Sequence, residues 1–245
     1  MKVVGIIAVR LESTRLPQKA IKDICGLPMF VHTCKRAQLA QTLDQVVLAT
    51  DSERIAEIAT NNDIDVIMTS TIHKNSTERI AEASKNIDCD IVVNIQGDEP
   101  LLYPDHVDKI VNPLLINEEA QVAIGITPFN KLNSPGDIKA VFDKKDNLLY
   151  CSRNDIPCNY KGKNPELWKL VFVVPHRKKW IEKYLEWEPT YLEKLEDNHF
   201  LRLIEHDVKI KVVKVTGAKI SVDTKEDFIE VSELMKHDKI KENYL

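Results

Sequence analysis

The sequence predicts an α/β protein, a mainly parallel sheet flanked by helices. Three observations carry that expectation. Short β-branched apolar runs recur at 3–9, 45–50, 64–68 and 90–96. Stretches of helical period separate them, over 29–41, 52–62 and 77–86. The runs do not alternate apolar with polar, which suits strands covered on both faces and joined by right-handed βαβ crossovers.

The first run opens the chain as a buried strand. It is far too short for a signal peptide, and no apolar run reaches the roughly 20 residues of a membrane helix. Residues 29–41 place Phe30, Val31, Cys34 and Ala37 on one side. Asp51 and Ser52 cap the helix over 52–62, whose apolar face is Ile55, Ile58 and Ala59. Ser76-Thr77-Glu78-Arg79 starts the helix over 77–86, and another helix follows Pro104. A strand lies near 120–127. Between 130 and 165 the pattern loosens into strands at 138–142 and 148–151, set apart by the turns Asn133-Ser134-Pro135-Gly136-Asp137 and Pro157-Cys158-Asn159. This reads as an inserted antiparallel β-arm that covers a site or makes a dimer. A strand at 167–174, helices at 176–187 and about 191–206, a strand at 209–215 and an amphipathic helix at 225–237 complete the chain. With no repeat and no low-complexity linker, the expectation is one domain over 1–245.

The balance of 34 basic and 38 acidic residues, net −4, offers no reason to expect nucleic-acid or membrane-surface binding. Five cysteines, an odd number without a CxxC pair, read as free thiols in a reducing cytosol, so the expected location is cytoplasmic. There is no GxGxxG or GxxxxGK[ST] phosphate loop and no GxSxG elbow. The seven histidines show no HExxH or Cys/His quartet, which argues against zinc.

Four clusters can carry chemistry. Arg10-Leu11-Glu12-Ser13-Thr14-Arg15-Leu16-Pro17-Gln18-Lys19 follows the first strand, at the sheet edge where open α/β folds bind ligands. Its cations and hydroxyls suit a polyphosphate, or form a solvated basic loop. Asn94-Ile95-Gln96-Gly97-Asp98-Glu99-Pro100 ends another buried strand on the same edge. Asp98 suits a hard cation such as Mg²⁺, and Glu99 reads as part of a capping turn. Asp223 is either a second carboxylate for that cation or an N-cap of the last helix. Thr77-Glu78-Arg79 either holds an anion or base edge at a helix start or is a capped, solvated terminus.

These segments resemble the 3-deoxy-D-manno-octulosonate (Kdo) cytidylyltransferases, or CMP-Kdo synthetases. The shared pieces are the R-x-x-S-T-R-L-P-x-K pattern from Arg10 to Lys19, Gly26-Leu27-Pro28-Met29, Val47 to Asp51, Thr77-Glu78-Arg79 and Asn94 to Pro100. Later come Ile138 to Val141, Ser152-Arg153-Asn154-Asp155-Ile156-Pro157 and Val222-Asp223-Thr224. The resemblance implies a Rossmann-like nucleotidyltransferase fold and a homodimer with the arm near its interface. It implies CTP and an acidic small-molecule acceptor as partners, in a pathway such as lipopolysaccharide or capsule synthesis. Ala8, Arg10, Ser13, Arg15, Lys19, Thr77, Arg79 and Gln96 would hold the nucleotide. Asp98 and Asp223 would bind Mg²⁺, and with Lys19 would form the catalytic set.

The chain departs from the family pattern in three places. The family's base-binding turn, D-H-x-S-G-T-E-R, becomes Ile72 to Arg79 with Ser76 in place of glycine. The sugar-facing His and Tyr of K-H-x-G-x-Y become Leu170 and Val174 after Lys169. The Glu and Gln of L-E-Q-L-R become His199 and Phe200 before Arg202. With Arg153, these five residues and Lys169 form the expected acceptor site, more apolar and aromatic than the family's. Kdo is therefore expected to be a poor substrate. The alternatives are CMP transfer to another sugar acid or a phosphonate, or a catalytically silent nucleotide-binding subunit.

Overall fold

Alternating apolar runs and amphipathic helices produce the expected layers in the computed structural model of the chain. It describes residues 1–245 except Thr14, Lys74, Lys161, Lys163, Asn164, Pro165 and Lys219. Those seven fall in the first loop, the turn before Arg79 expected to meet the base, the arm and the segment before Asp223.

The first half runs β1 (Val3–Ala8), β2 (Asp23–Ile24), β3 (Leu27–Pro28), α1 (Met29–Gln38), β4 (Gln45–Thr50), α2 (Glu53–Thr60), β5 (Asp65–Met68), α3 (Ser76–Ser84) and β6 (Ile91–Gln96). Then come α4 (Pro104–Ile116), β7 (Val122–Phe129), β8 (Lys139–Phe142), β9 (Leu148–Ser152), β10 (Leu167–Val171) and β11 (Val173–Arg177). The chain closes with α5 (Lys178–Tyr184), α6 (Tyr191–Glu196), α7 (Phe200–Glu205), β12 (Ile210–Lys214) and α8 (Lys225–Lys236).

Among the described residues, ten strands form one sheet in the order β5-β4-β1-β6-β11-β7-β10-β8-β9, with β12 on β7. The β5-β4-β1-β6 half is wholly parallel. Antiparallel β11 joins it to the second half, so seven strands run one way and β9, β10 and β11 the other. Alternate residues of the parallel strands serve opposite layers. Val3, Ile7, Val93 and Ile95 pack with Phe30, Val31, Val107 and Ile110 of α1 and α4. Val4, Ile6, Val47 and Val92 pack with Ile80, Ala81 and Ile181 of α3 and α5. A separate cluster joins Leu16, Leu101, Val222, Val231 and Met235, tying the first loop to α8. No helix among the described residues is long and apolar enough to cross a membrane.

Caps explain the helix starts. Ser52 accepts from Ile55 N, and Asn75 accepts from Glu78 N at 2.9 Å. Four local expectations change. The hairpin β2–β3, around Gly26 at φ 96°, carries no strand-length apolar run and was not expected. The arm is a hairpin, β8–β9, continuous with the main sheet through Lys139 opposite Lys169. The strand over 167–174 is two strands that break at Phe172, and the second extends to Arg177, so the following helix starts at Lys178 rather than 176. Pro175 is tolerated inside β11 because β7 pairs with that strand at one position only, His176 opposite Val122. The helix over 191–206 is two helices, because Asp197 adopts the left-handed conformation at φ 47° and ends α6.

Candidate active site

The loops after β1 and β6 meet at the carboxyl edge of the sheet. Gly97 permits this approach, since a Cβ there would lie 2.6 Å from Val9 Cγ2 and 3.2 Å from Ala8 O. The segment before α8 is pinned to the same place, with Val222 N donating to Asp98 O at 3.0 Å. A cleft of about 740 Å³ opens there, running from His73 and Arg79 past Asp98 to Lys169 and His199.

Lys19 stands at its centre. Its ammonium donates to Asp98 Oδ2 at 2.8 Å, to Val222 O at 2.7 Å and to Asp223 Oδ1 at 3.4 Å. Arg15 donates to the same Asp223 oxygen at 2.9 Å. The N-cap of α8 is Thr224, which exchanges hydrogen bonds with Asp227, so the Asp223 carboxylate is not the cap and turns toward the cations. Asp98 Oδ1 is buried and has no partner among the described residues. Two converging carboxylates with one unsatisfied buried oxygen form a hard donor set of the kind a small divalent cation takes. Among the described residues no group of three or more His, Cys, Asp or Glu is placed to hold a metal. Glu99 accepts from Ser221 Oγ, and no side chain caps α4, so the capping role expected of Glu99 is not observed. Burial first, then the adjacent Asp98 charge, pushes its carboxyl up to about 8.

At the end lined by His73, Asn75, Ser76, Arg79 and Gln96 the polar groups brace one another. Arg79 is buried and donates to Asp51 at 2.7 Å, to Thr69 Oγ1 at 2.5 Å and to Ser70 O at 3.3 Å. His73 bonds Glu82, whose carboxylate also receives Ser70 N. Thr77 is buried and accepts from Asn94 at 3.4 Å, so it fastens α3 to β6 and does not line the cleft.

The opposite end is walled by Phe129, Ile138, Leu170 and Phe172. Lys169 pairs with Asp137 at 2.9 Å and lies 5.3 Å from the Phe129 ring centre. Arg153 donates to Glu196 O, Pro135 O and Asp197 O at 3.0–3.1 Å. His199 lines the cleft, and burial lowers its imidazole to about 4.

A family model described as cytidylyltransferase matches residues 4–210. The chain belongs to the cytidylyltransferase family. It is 38% identical over 242 residues to the mitochondrial 3-deoxy-manno-octulosonate cytidylyltransferase of Arabidopsis thaliana, covering 96% of this chain and 83% of that one. It is 35% identical over 245 residues to the 3-deoxy-manno-octulosonate cytidylyltransferase of Chlorobium phaeobacteroides, covering 97% and 98%. Among solved structures it is similar to a CMP:2-keto-3-deoxy-manno-octonic acid synthetase complexed with CTP, with TM-score 0.93 and 28% identity over 96% of this chain and 99% of that one. An inositol-1-phosphate CTP transferase from T. maritima shares the fold at TM-score 0.70 and 12% identity, over 95% and 94%.

Within this cytidylyltransferase cleft the structure gathers Ala8, Arg10, Ser13, Arg15, Lys19, Arg79, Gln96, Asp98 and Asp223, and from the acceptor set Arg153, Lys169, Leu170 and His199. Thr14 lies outside the described residues. Three expected acceptor residues are not in the lining. Val174 and Phe200 belong to the core around β7 and β12, 1% exposed each. Arg202, 3% exposed, grips Glu193 through Nε and Nη2 at 2.6 Å and stacks on Tyr184. The helix break at Asp197 turns His199 alone of that segment's expected residues to the cleft. Sequence reading missed Asp137, Phe172 and Ser221. Asp137 sat in a turn cluster read only as a turn, and Phe172 lay inside a run read as one strand.

Proposed function

We propose that this chain transfers CMP from CTP to Kdo or a closely related sugar acid, with release of pyrophosphate. The observation that carries the reading is the convergence of Lys19 and Arg15 on Asp98 and Asp223 inside the family's cleft.

The triphosphate lies along the first loop, where Arg10, Ser13, Arg15 and Lys19 offer charge-assisted donors. Lys19 holds both carboxylates toward the same point, so a nucleotide meets balanced charge rather than bare anions. The cytosine end rests against the wall from His73 to Gln96, which Arg79 stiffens by tying together Asp51, Thr69 and Ser70. The anomeric hydroxyl of the acid attacks the α-phosphorus in line. Its oxygen bonds to phosphorus and gives up its proton to solvent as the bond to the pyrophosphate oxygen breaks. The chain contributes positioning and fixed charge.

Asp98 and Asp223 are the residues to hold Mg²⁺, and the unpartnered Asp98 Oδ1 fits that role. Such an ion would neutralise phosphate charge as the leaving group departs. Glu99, whose carboxyl is raised by burial and engaged by Ser221, stays out of that set.

The test is pyrophosphate release from CTP, Mg²⁺ and Kdo-type acids by the purified protein. Acid-dependent release, with ATP and GTP inactive, is expected. Binding of CTP with no release for any acid would leave a silent nucleotide-binding subunit in its place.

A further inference from the structure

Away from the cleft, α1 carries three polar side chains with no exposed surface, His32, Thr33 and Arg36. Two of them reach the loop that brings Asp98 to the cleft. Thr33 Oγ1 donates to Gly97 O at 3.2 Å, just before Asp98. Arg36, three residues on and on the same helix face, donates through Nη1 to Leu102 O at 3.1 Å. Helix α1 therefore holds the loop after β6 on both sides of Asp98.

The Arg36 guanidinium also fastens α8. Nη2 donates to Asp238 Oδ1 at 2.6 Å and lies 3.6 Å from Met235 Sδ, and Nε donates to Tyr244 OH at 3.2 Å. Asp238 follows the C-terminal end of α8, and Asp223 precedes its N-terminal end. Beside the cleft, Val222 N and Ser221 Oγ bind the loop after β6 at Asp98 O and Glu99. The segments that carry Asp98 and Asp223 are thus tied at both ends of α8, with Leu101, Val222, Val231 and Met235 packed between them. Apolar side chains of similar volume would pack the far end at least as stably as a buried ion pair. A planar fork of directed donors adds something packing does not, a fixed position for each segment it holds.

The ties beside the cleft alone would leave α8, about 18 Å long, able to pivot. When Lys19 turns from the carboxylates to a phosphate, Asp98 and Asp223 repel, and a pivot of α8 would part them. We propose that Arg36 is a positioning residue that blocks this pivot and sets the spacing of the Asp98 and Asp223 carboxylates to a small divalent cation. The inference rests on the metal role proposed above for those two residues. Mg²⁺ requires near-ideal octahedral geometry at about 2.0–2.1 Å, whereas Ca²⁺ accepts looser sites at about 2.3–2.6 Å. Loss of the clamp therefore weakens Mg²⁺ more than Ca²⁺.

The experiment compares wild type with Arg36→Lys, whose single ammonium cannot span Leu102 O and Asp238 together, and with Asp238→Asn, which leaves a neutral acceptor on Nη2. Turnover is followed against free Mg²⁺ at saturating CTP, and protection against heat by CTP is measured with Mg²⁺, with Ca²⁺ and with neither. Arg36→Lys should need about tenfold more Mg²⁺ for half-maximal turnover, the usual order for losing a residue that orients a metal ligand. Asp238→Asn should need a smaller increase, since it keeps the fork. In both, the protection that CTP gives without metal should match wild type, the increment due to Mg²⁺ should shrink, and the increment due to Ca²⁺ should persist. A merely structural role would lower all three protections alike. An unchanged Mg²⁺ requirement in Arg36→Lys, or Mg²⁺ and Ca²⁺ increments that fall together, overturns the proposal. Should Arg36→Lys not fold, the same criteria applied to Asp238→Asn decide. Failure of the transfer reading looks different, since the wild type would then release no pyrophosphate with any acid. The heat-protection measurements decide in that case. A loss selective for Mg²⁺ supports the clamp, and metal increments that are unchanged or absent remove it.

Discussion

The two ends of the cleft use charge in opposite ways. At the end proposed to take the nucleotide, Lys19, Arg15, Asp98 and Asp223 pair with one another between loops far apart in the chain. The exposed Arg15–Asp223 pair can be exchanged for ligand charge at little cost, because exposed ion pairs contribute little to stability, and the partly buried Lys19 links both carboxylates beside it. At the acceptor end Arg202 and Glu193 are sealed in the core, and Arg153 is committed to main-chain carbonyls. A buried charge with its partners removed is expensive, so Arg202 and Glu193 build the wall, whereas Arg153 is partly exposed and lines the cleft. A charged side chain near a site is thus part of the ligand-binding set only where its present partners can be given up.

The largest effect that tests this contrast is on folding. Arg202→Ala leaves Glu193 buried and unpaired, and should cost about 3–5 kcal/mol in urea unfolding. Undiminished stability with a raised acceptor KM would move Arg202 from wall to binding surface. At the other end Asp98→Asn and Asp223→Asn should each lower turnover at least ~10²-fold, about 2.7 kcal/mol, while the unfolding midpoint stays near wild type. Either mutant turning over normally at saturating Mg²⁺ would take that residue out of the site. Lys19→Ala should weaken CTP about tenfold and remove about 1.4 kcal/mol of CTP-dependent protection against heat, with Arg15→Ala, more exposed, losing less.

The smallest effect is in the pH dependence. His176 is held neutral far below its ordinary 6.5, at about 3. Between those values the unfolded chain binds the proton and the folded chain does not, so this group's contribution falls as pH drops through 6.5. His176→Leu should therefore lose about 1 kcal/mol less than wild type between pH 7 and 5.5. Glu99 acts in the other direction, since its raised carboxyl loses stability as pH climbs from about 4.5 to about 8. That term is common to both proteins and cancels in the comparison. Parallel acid curves for wild type and mutant would show that His176 has a proton-accepting partner in solution.

The half of the chain that folds by local rules was legible in order. Strands β1, β4, β5 and β6 and helices α1, α2 and α3 lie within a few residues of where apolar period and caps put them. Positions 191–206 were harder, because helical period continues unbroken across Asp197, and only that residue's backbone shows the turn. The same break sends Phe200 and Arg202 into the core beside Asp197, Asn198 and His199, which line the cleft.

By itself the sequence determined the α/β layering, the two loops at the carboxyl edge and the acid and base types placed there. Those features depend on side-chain period, on turn chemistry and on which residue follows which strand, all of them local. Only the tertiary structure decided that Asp223 faces Lys19 instead of capping α8, that Arg79 and Thr77 brace the wall, and that Val174, Phe200 and Arg202 lie behind the acceptor end. Each of those outcomes is a choice between partners distant in the chain. Burial and hydrogen-bond satisfaction settle such a choice, and both are defined only once the layers have packed.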